Sequence, residues 1–315
     1  MSLYEKIKNN LPFRYVIRII ALLLFVMLLI RIIPPTDAIS INPLKKNNGK
    51  MNAVASSGGG KYNPPNTMLS FNTAASSYGI MTFSIGVVMS KDGKLIVADY
   101  DDLSVYTDMT GRISEMTYEE LSKLNFAYNF TLDEGATYQY RTQLVQCIDI
   151  YALFKAYPYV NYIINVVQQN DPGIRAAIAL CEAIRSSDMS LKVAIKGSNE
   201  VVKAAREETN VHIMTPPIRH ELNSYLDFER FGLDHIYIRL NFQYLEIPVN
   251  MLEKYSPRVL SKLQARNVAI YVSGVNDEEA YKKAVAIKAD GVITSDPELI
   301  VQLIETDASD IGNQH

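Results

Sequence analysis

Hydrophobic and polar positions divide the chain into three unlike stretches. Residues 13–33 read FRYVIRIIALLLFVMLLIRII, and 19–30 contain no polar side chain. A bilayer-spanning helix takes about 20 residues. A cleaved signal peptide has a shorter apolar region, ~7–15 residues, followed by a small-x-small site. Here the run is longer and is followed by Ile-Ile-Pro-Pro. A transmembrane helix over 13–33 that stays attached is therefore expected, after a short tail at 1–12. Arg18 and Arg31 stand near its ends, where long side chains snorkel to headgroups. Pro34 and Pro35 stop it. Residues 34–51 form a linker; from 36 on it is polar with little apolar period, which predicts a tether.

From residue 52 the pattern changes to short β-rich runs alternating with amphipathic stretches. Strands are expected at 54–57, 80–89 and 94–98, the last two joined at the Asp92-Gly93 turn signal. Further strands are expected at 162–167, 191–196, 211–214, 235–240, 268–272 and 291–294. Helices are expected at 66–78, 117–124, 172–186, 199–209, 249–266 and 277–289. The first carries Met68, Leu69, Phe71 and Ala75 on one side, and the second has Thr117 and Glu120 at capping-box spacing. About eight strand–helix units in 52–304 match the size of an α/β TIM (β/α)8 barrel. A doubly wound open sheet is the alternative, but no Gly-x-Gly-x-x-Gly turn follows the first strand. Residues 305–315 read as a polar, disordered tail.

Composition adds mostly exclusions. The chain has 315 residues, 48% of them hydrophobic, and a formal net charge of -3. No basic excess suggests a nucleic-acid partner. Cys147 and Cys181 are too few for a disulfide scaffold and have no metal spacing, so they read as buried apolar residues. Lys6, Lys8 and Arg14 precede the apolar run, and Arg31, Lys45, Lys46 and Lys50 follow it. That balance gives no orientation by charge. A first span after a short tail places the barrel on the extracytoplasmic side.

Pro64-Pro65-Asn66-Thr67 and Lys91-Asp92-Gly93-Lys94 resemble the Pro-Glu-Asn-Thr helix start and the hairpin of the glycerophosphodiester phosphodiesterase family, within the PLC-like phosphodiesterase superfamily. Thr110-Gly111-Arg112 and Tyr118-Glu119-Glu120-Leu121 resemble a later segment. Asp290-Gly291-Val292-Ile293-Thr294-Ser295-Asp296-Pro297 resembles its Asp-Gly-Ile-Ile-Thr-Asp-x-Pro ending. The resemblance implies a TIM barrel. It also implies a divalent cation such as Mg or Ca held by carboxylates, and two histidines exchanging protons with a phosphodiester.

The residues that would do this chemistry are replaced. The family's His-Arg falls on Ser56 and Ser57, and the helix-start Glu on Pro65. The Glu-x-Asp metal pair falls on Ser84 and Gly86. The second His falls on Asp99, followed by Tyr100 in place of Asp. The later acidic ligand and its Lys fall on Asn165 and Val167. Inventory supports this independently of alignment. The four histidines are His212, His220, His235 and His315, and no Asp or Glu lies between Lys50 and Lys91. Turn glycines, helix starts and apolar strands, which serve folding, remain. No catalytic residue and no cofactor is therefore expected. The expected function is an inactive, membrane-anchored binding or assembly partner. An active hydrolase of lipid- or envelope-derived phosphodiesters with a relocated site is the alternative.

Strand ends at the C-terminal side of a barrel form its mouth. There Ser56, Ser84, Asp99, Asn165, Lys196, Arg239, Asn241 and Ser273 are expected to line a polar pocket for an envelope-derived ligand. The blander reading is a solvated rim in which Lys196 pairs with Asp99. Gly58-Gly59-Gly60-Lys61 lacks phosphate-loop spacing and reads as a flexible loop. Asp99, Asp101 and Asp102 read as a solvated acidic turn, and His212 and His235 as structural residues at strand starts.

Overall fold

Runs of β-branched and aromatic residues form a parallel sheet that curls around a filled interior. The computed structural model describes residues 11–32, 36–46, 49–208 and 210–312. In chain order the strands are β1 (Asn52–Ser56), β2 (Thr82–Met89), β3 (Leu95–Val97), β4 (Asn161–Val166), β5 (Val193–Lys196), β6 (Tyr244–Pro248), β7 (Ala269–Ser273) and β8 (Gly291–Thr294). Their order is β5-β4-β2-β1-β8-β7-β6, all parallel along that path, with β3 returning antiparallel on β2. Val54 stands beside Ile293, and Ser84 beside Ile163. The gap between β5 and β6 is spanned by a short extended segment. Met214 bridges Ala194, Ile195 N–H donates to Met214 O (2.9 Å), and Gln243 N–H donates to Thr215 O (3.0 Å). Eight parallel positions thus encircle the interior, a TIM-barrel-like fold.

Alternation along each strand sorts the core. Val54, Ile163, Ala194, Met214, Tyr244, Tyr271 and Ile293 fill the barrel. The outward side chains meet the helices α2 (Met68–Tyr78), α5 (Asn170–Ser186), α6 (Asn199–Glu207), α7 (Arg219–Arg230), α8 (Pro257–Ala265), α9 (Glu278–Ala286) and α10 (Pro297–Gly312). Short helices α3 (Tyr118–Leu121) and α4 (Ile150–Ala156) belong to the long excursion after β3. The capping box at Thr117 and Glu120 is formed as its spacing predicts.

Several expectations need correction. Residues 235–240 are not a strand: 234–236 make a 3-10 turn, and the strand lies at Tyr244–Pro248. Both runs alternate polar and apolar residues, but only the second is hydrogen-bonded on both sides, to Thr215 through Gln243 and to β7. α7 is a further helix that the apolar pattern does not predict. The expected helix at 249–266 is broken into a 3-10 segment and α8, because Pro257 cannot continue a helix and Ser256 caps a new one through Val259 N–H. The tail at 305–315 is helical as far as Gly312, and Tyr281 O–H donates to Asp307 (2.8 Å).

The linker is not a free tether. Residues 36–46 cross the N-terminal face of the barrel. Thr36 N–H donates to Ile238 O (2.9 Å), and Ala38 N–H to Arg266 O (2.9 Å). Asn42 Nδ2 donates to Gln243 O (2.7 Å) and Asn267 O (2.8 Å). Leu44 is fully buried among the interior residues, and its carbonyl accepts Tyr271 O–H (2.7 Å). Lys45 Nζ pairs with the buried carboxylate of Asp290 (3.1 Å). One leucine in a polar sequence gives no periodic signal, so this plug was invisible in the pattern.

Ahead of it, α1 (Leu11–Ile32) is a helix of 22 residues. Its side chains from Arg14 to Leu29 are all exposed. Among the described residues no helix is long and apolar enough to cross a membrane. Residues 11 and 12 of the expected tail at 1–12 belong to α1, while residues 1–10, the Pro34-Pro35 stop and His315 lie outside the described residues.

Candidate functional site at the barrel mouth

Strand alternation points Ser56, Ser84, Asn165, Lys196, Glu246 and Ser273 toward the barrel axis at the C-terminal strand ends. Together with Asp99 they line a cavity of about 640 Å3. Serines dominate, and the ionisable groups are few. Lys196 Nζ donates to Glu246 Oε2 at 2.6 Å, both side chains being largely buried. Asp99 Oδ2 accepts Ser57 Oγ–H (2.5 Å) and Asn66 Nδ2–H (2.7 Å). Its backbone N–H and that of Tyr100 both donate to the Tyr106 hydroxyl (2.9 and 3.0 Å). Burial, and then the Asp99 charge, push that hydroxyl far above its ordinary pKa. Tyr244 lies on the floor of the cavity, with a fully buried hydroxyl that has no partner among the described residues.

The structure brings together Ser56, Ser84, Asp99, Asn165, Lys196 and Ser273, and separates two others. Arg239 and Asn241 precede β6 and line a cleft at the opposite end with Ile39 and His212. They were expected at the mouth because the strand before them was misplaced. The same error hid Glu246, the actual partner of Lys196; Asp99 pairs with Ser57 and Asn66 instead. The alternation Tyr-Leu-Glu-Ile-Pro could have revealed Glu246. His235 is in the 3-10 turn rather than at a strand start.

The remaining motif positions have structural roles. Gly86 packs against the backbone of Ala98 and Asp99, so a Cβ there has no room. Pro65 is half-buried against Gly60. Val167 packs on the cluster under the excursion. The glycine loop is clamped rather than flexible: Gly59 N–H donates to Ser56 O (2.7 Å), and Lys61 N–H to Ser295 O (3.1 Å). Lys61 Nζ pairs with Asp296 (2.5 Å). Asp101 receives the Ser114 N–H and hydroxyl, and Asp102 those of Ser104. These carboxylates cap turns. Cys147 and Cys181 are free and buried, and burial pushes both thiols up to about 12.

A hard divalent cation needs several carboxylate or carbonyl oxygens converging on one point. The mouth offers Asp99, with one oxygen already holding two donors, and Glu246, neutralised by Lys196. Among the described residues no group of three or more His, Cys, Asp or Glu could hold a metal ion. The donor set does not fit the cation that the family resemblance implies.

Parallel barrel, antiparallel hairpin after β2, and mouth at the C-terminal strand ends define a phosphodiesterase-type TIM barrel. The profile of the glycerophosphoryl diester phosphodiesterase family matches residues 57–215, half of the chain, and the protein belongs to that family. A glycerophosphodiester phosphodiesterase from Bacillus altitudinis is 24% identical over 251 residues, covering 77% of this chain and 93% of the relative. A human lysophospholipase D is 23% identical over 266 residues, covering 78% and 83%. Among solved structures, a glycerophosphoryl diester phosphodiesterase domain from Mycobacterium tuberculosis superposes with a TM-score of 0.67 at 17% identity, covering 81% of this chain and 99% of that one. An Oleispira antarctica phosphodiesterase, in complex with its product sn-glycerol-3-phosphate, gives 0.64 at 18% identity, covering 81% and 97%.

Proposed function

We propose that the chain is a membrane-anchored glycerophosphodiester phosphodiesterase-like protein that has lost hydrolysis and serves as a binding or assembly partner, with its barrel on the extracytoplasmic side. The observation that carries this is the donor set of the mouth: serines and asparagine stand where histidines and carboxylates would act. Among the described residues that line the cavity there is no imidazole to exchange a proton near neutral pH, and the one lysine lining it is held by Glu246. The cavity remains shaped and polar, which suits recognition of an envelope-derived ligand or a loop of a membrane protein.

The anchor half rests on α1. Residues 19–30 within it contain no polar side chain. Apolar side chains are exposed on every side of it, including Ile20, Leu23, Leu24 and Phe25. A helix apolar all round has no aqueous surface to offer. Carbonate extraction of membranes tests this: the full chain is expected in the pellet, and a chain lacking α1 in the supernatant.

The catalytic half is tested by assaying the detergent-purified chain on glycerophosphodiesters with magnesium and calcium. No turnover above a protein-free control is expected. Metal-dependent turnover abolished by Asp99→Asn or Glu246→Gln overturns the reading. It would favour a second one, hydrolysis by a relocated site, for which the Lys196–Glu246 pair above the unpartnered Tyr244 hydroxyl is the specific observation.

A further inference from the structure

We propose that the N-terminal face of the barrel is a lipid-contacting surface, so that this face lies against the bilayer entered by α1 and the mouth opens away from it. The inference rests on the anchor reading above. It adds a fixed orientation and names which end of the barrel meets lipid.

Reach comes first. α1 ends at Ile32, and Thr36 is already fixed to the barrel, its N–H and hydroxyl both donating to Ile238 O (2.9 Å each). Four residues of extended chain cover at most ~14 Å. α1 also touches the 3-10 turn at Asp234–Ile236. The plug allows no slack beyond that point. Asn42 is bonded to two carbonyls, Leu44 is buried in the barrel, and Lys45 is paired with Asp290. The face that carries the plug therefore cannot drift far from the bilayer surface.

The chemistry of that face fits such a neighbour. Ile41 is 76% exposed and Phe231 74%; Ile236 and Ile238 are exposed beside them. Tyr159 and Leu191, just ahead of β4 and β5, are exposed on the same end, and Asn161 Nδ2 reaches the plug at Pro43 O (3.4 Å). Exposed apolar groups gathered on one face mark a contact surface. Arg230 and Arg239 stand among them, exposed and without an acidic partner among the described residues. Isoleucine, phenylalanine and tyrosine interleaved with free arginines suit the boundary between acyl chains and phosphate headgroups.

The consequence concerns access. The mouth lies at the other end of the strands, and β4 with its six residues is ~20 Å long. A ligand or partner loop thus enters from the aqueous phase, not sideways from the lipid in which the protein is anchored.

The chain contains no tryptophan, so one introduced indole is the sole emitter of its kind. Full chain carrying Phe231→Trp or Ile41→Trp is reconstituted into vesicles of phosphatidylcholine and phosphatidylglycerol, with and without lipids brominated near the headgroup. Both variants are expected to shift to the blue and to lose most of their emission with brominated lipid. Tyr100→Trp, at the mouth, is expected to do neither. Quenching of Tyr100→Trp but not of the other two overturns the orientation, as does quenching of none in vesicles that retain the protein. Failure of the chain to stay with the vesicles after carbonate is a different result, and sinks the anchor reading instead.

Discussion

At the scale of single residues, the positions where the family resemblance expects catalytic groups carry residues that the fold accommodates. Gly86 stands where the resemblance places a metal carboxylate, and the backbone of Ala98 and Asp99 now occupies the room a side chain needs. Gly86→Asp is therefore expected to destabilise the domain by ~1–3 kcal/mol, the range for overpacking, and to restore no activity. Chemical denaturation gives the first, and the diesterase assay the second. A soluble, equally stable Gly86→Asp protein would falsify this account of the turn. Asp290 shows the opposite case, a family-motif residue kept for folding. Its buried carboxylate accepts Ile270 N–H (2.9 Å) and Lys45 Nζ. Lys45→Met leaves that carboxylate short of a charge partner, and a loss of about 1–3 kcal/mol is expected. If the midpoint of urea unfolding stays put, the plug is not anchored as described.

At the scale of elements, α6 and α7 are clamped by Arg206. Its guanidinium meets Glu221 (2.8 Å), Thr215 Oγ1 (2.8 Å) and Pro216 O (2.8 Å). Burial raises the Glu221 carboxyl, but the Arg206 hydrogen bond, the Ile218 N–H and the Arg206 charge outweigh it and hold the group below its ordinary pKa. A carboxyl depressed in the folded state stabilises above its unfolded pKa of ~4.3. That contribution is lost as pH falls through the lower folded value. Glu221→Gln is expected to lower stability at neutral pH and to flatten the acid side of the stability–pH curve. An acid limb of unchanged steepness in thermal melts from pH 3 to pH 7 (roughly the span over which Glu titrates) counts against the clamp. The plug is the other element with a large expected effect. Leu44→Ala removes a fully buried side chain from the barrel interior, at a cost of ~2–5 kcal/mol. A loss well below that in denaturant titrations means that Leu44 does not fill the barrel floor.

Legibility in the sequence also divided by element. Strands β2, β4 and β8 and helix α5 are legible to within a few residues, because the strands are β-rich apolar runs and the helix buries a regular stripe that includes Ala176, Ala177, Leu180 and Ile184. β6 was confused with residues 235–240, since both alternate and local period does not report what lies alongside. α7 was missed for a related reason: RHELNSYLDFER buries only Tyr225 fully, so its apolar stripe is thin. At the mouth, Ser56, Ser84, Asp99, Asn165, Lys196 and Ser273 were found, because they follow strands whose ends were placed. Arg239 and Asn241 were misassigned and Glu246 overlooked, all three from the one misplaced strand.

At the scale of the whole molecule, the N-terminal helix, the plug and the barrel follow one another with little slack. α1 leads within four residues to a segment bonded across the barrel floor, so the barrel is held close to that helix rather than hung on a flexible tether. The replacement of the family's motif residues was decided by the sequence itself. Which residue types are present is a matter of inventory, and no folding can supply a histidine before residue 212 or an acid between Lys50 and Lys91. The barrel class, too, followed from alternation, since strand–helix repeats bury their apolar faces in few ways. Only the tertiary structure decided that Lys196 belongs to Glu246, that Gly86 has no room for a carboxylate, and that Leu44 closes the barrel floor. Each of these depends on pairs far apart in the chain, and proximity in space is fixed by the packing of the whole sheet rather than by any local pattern.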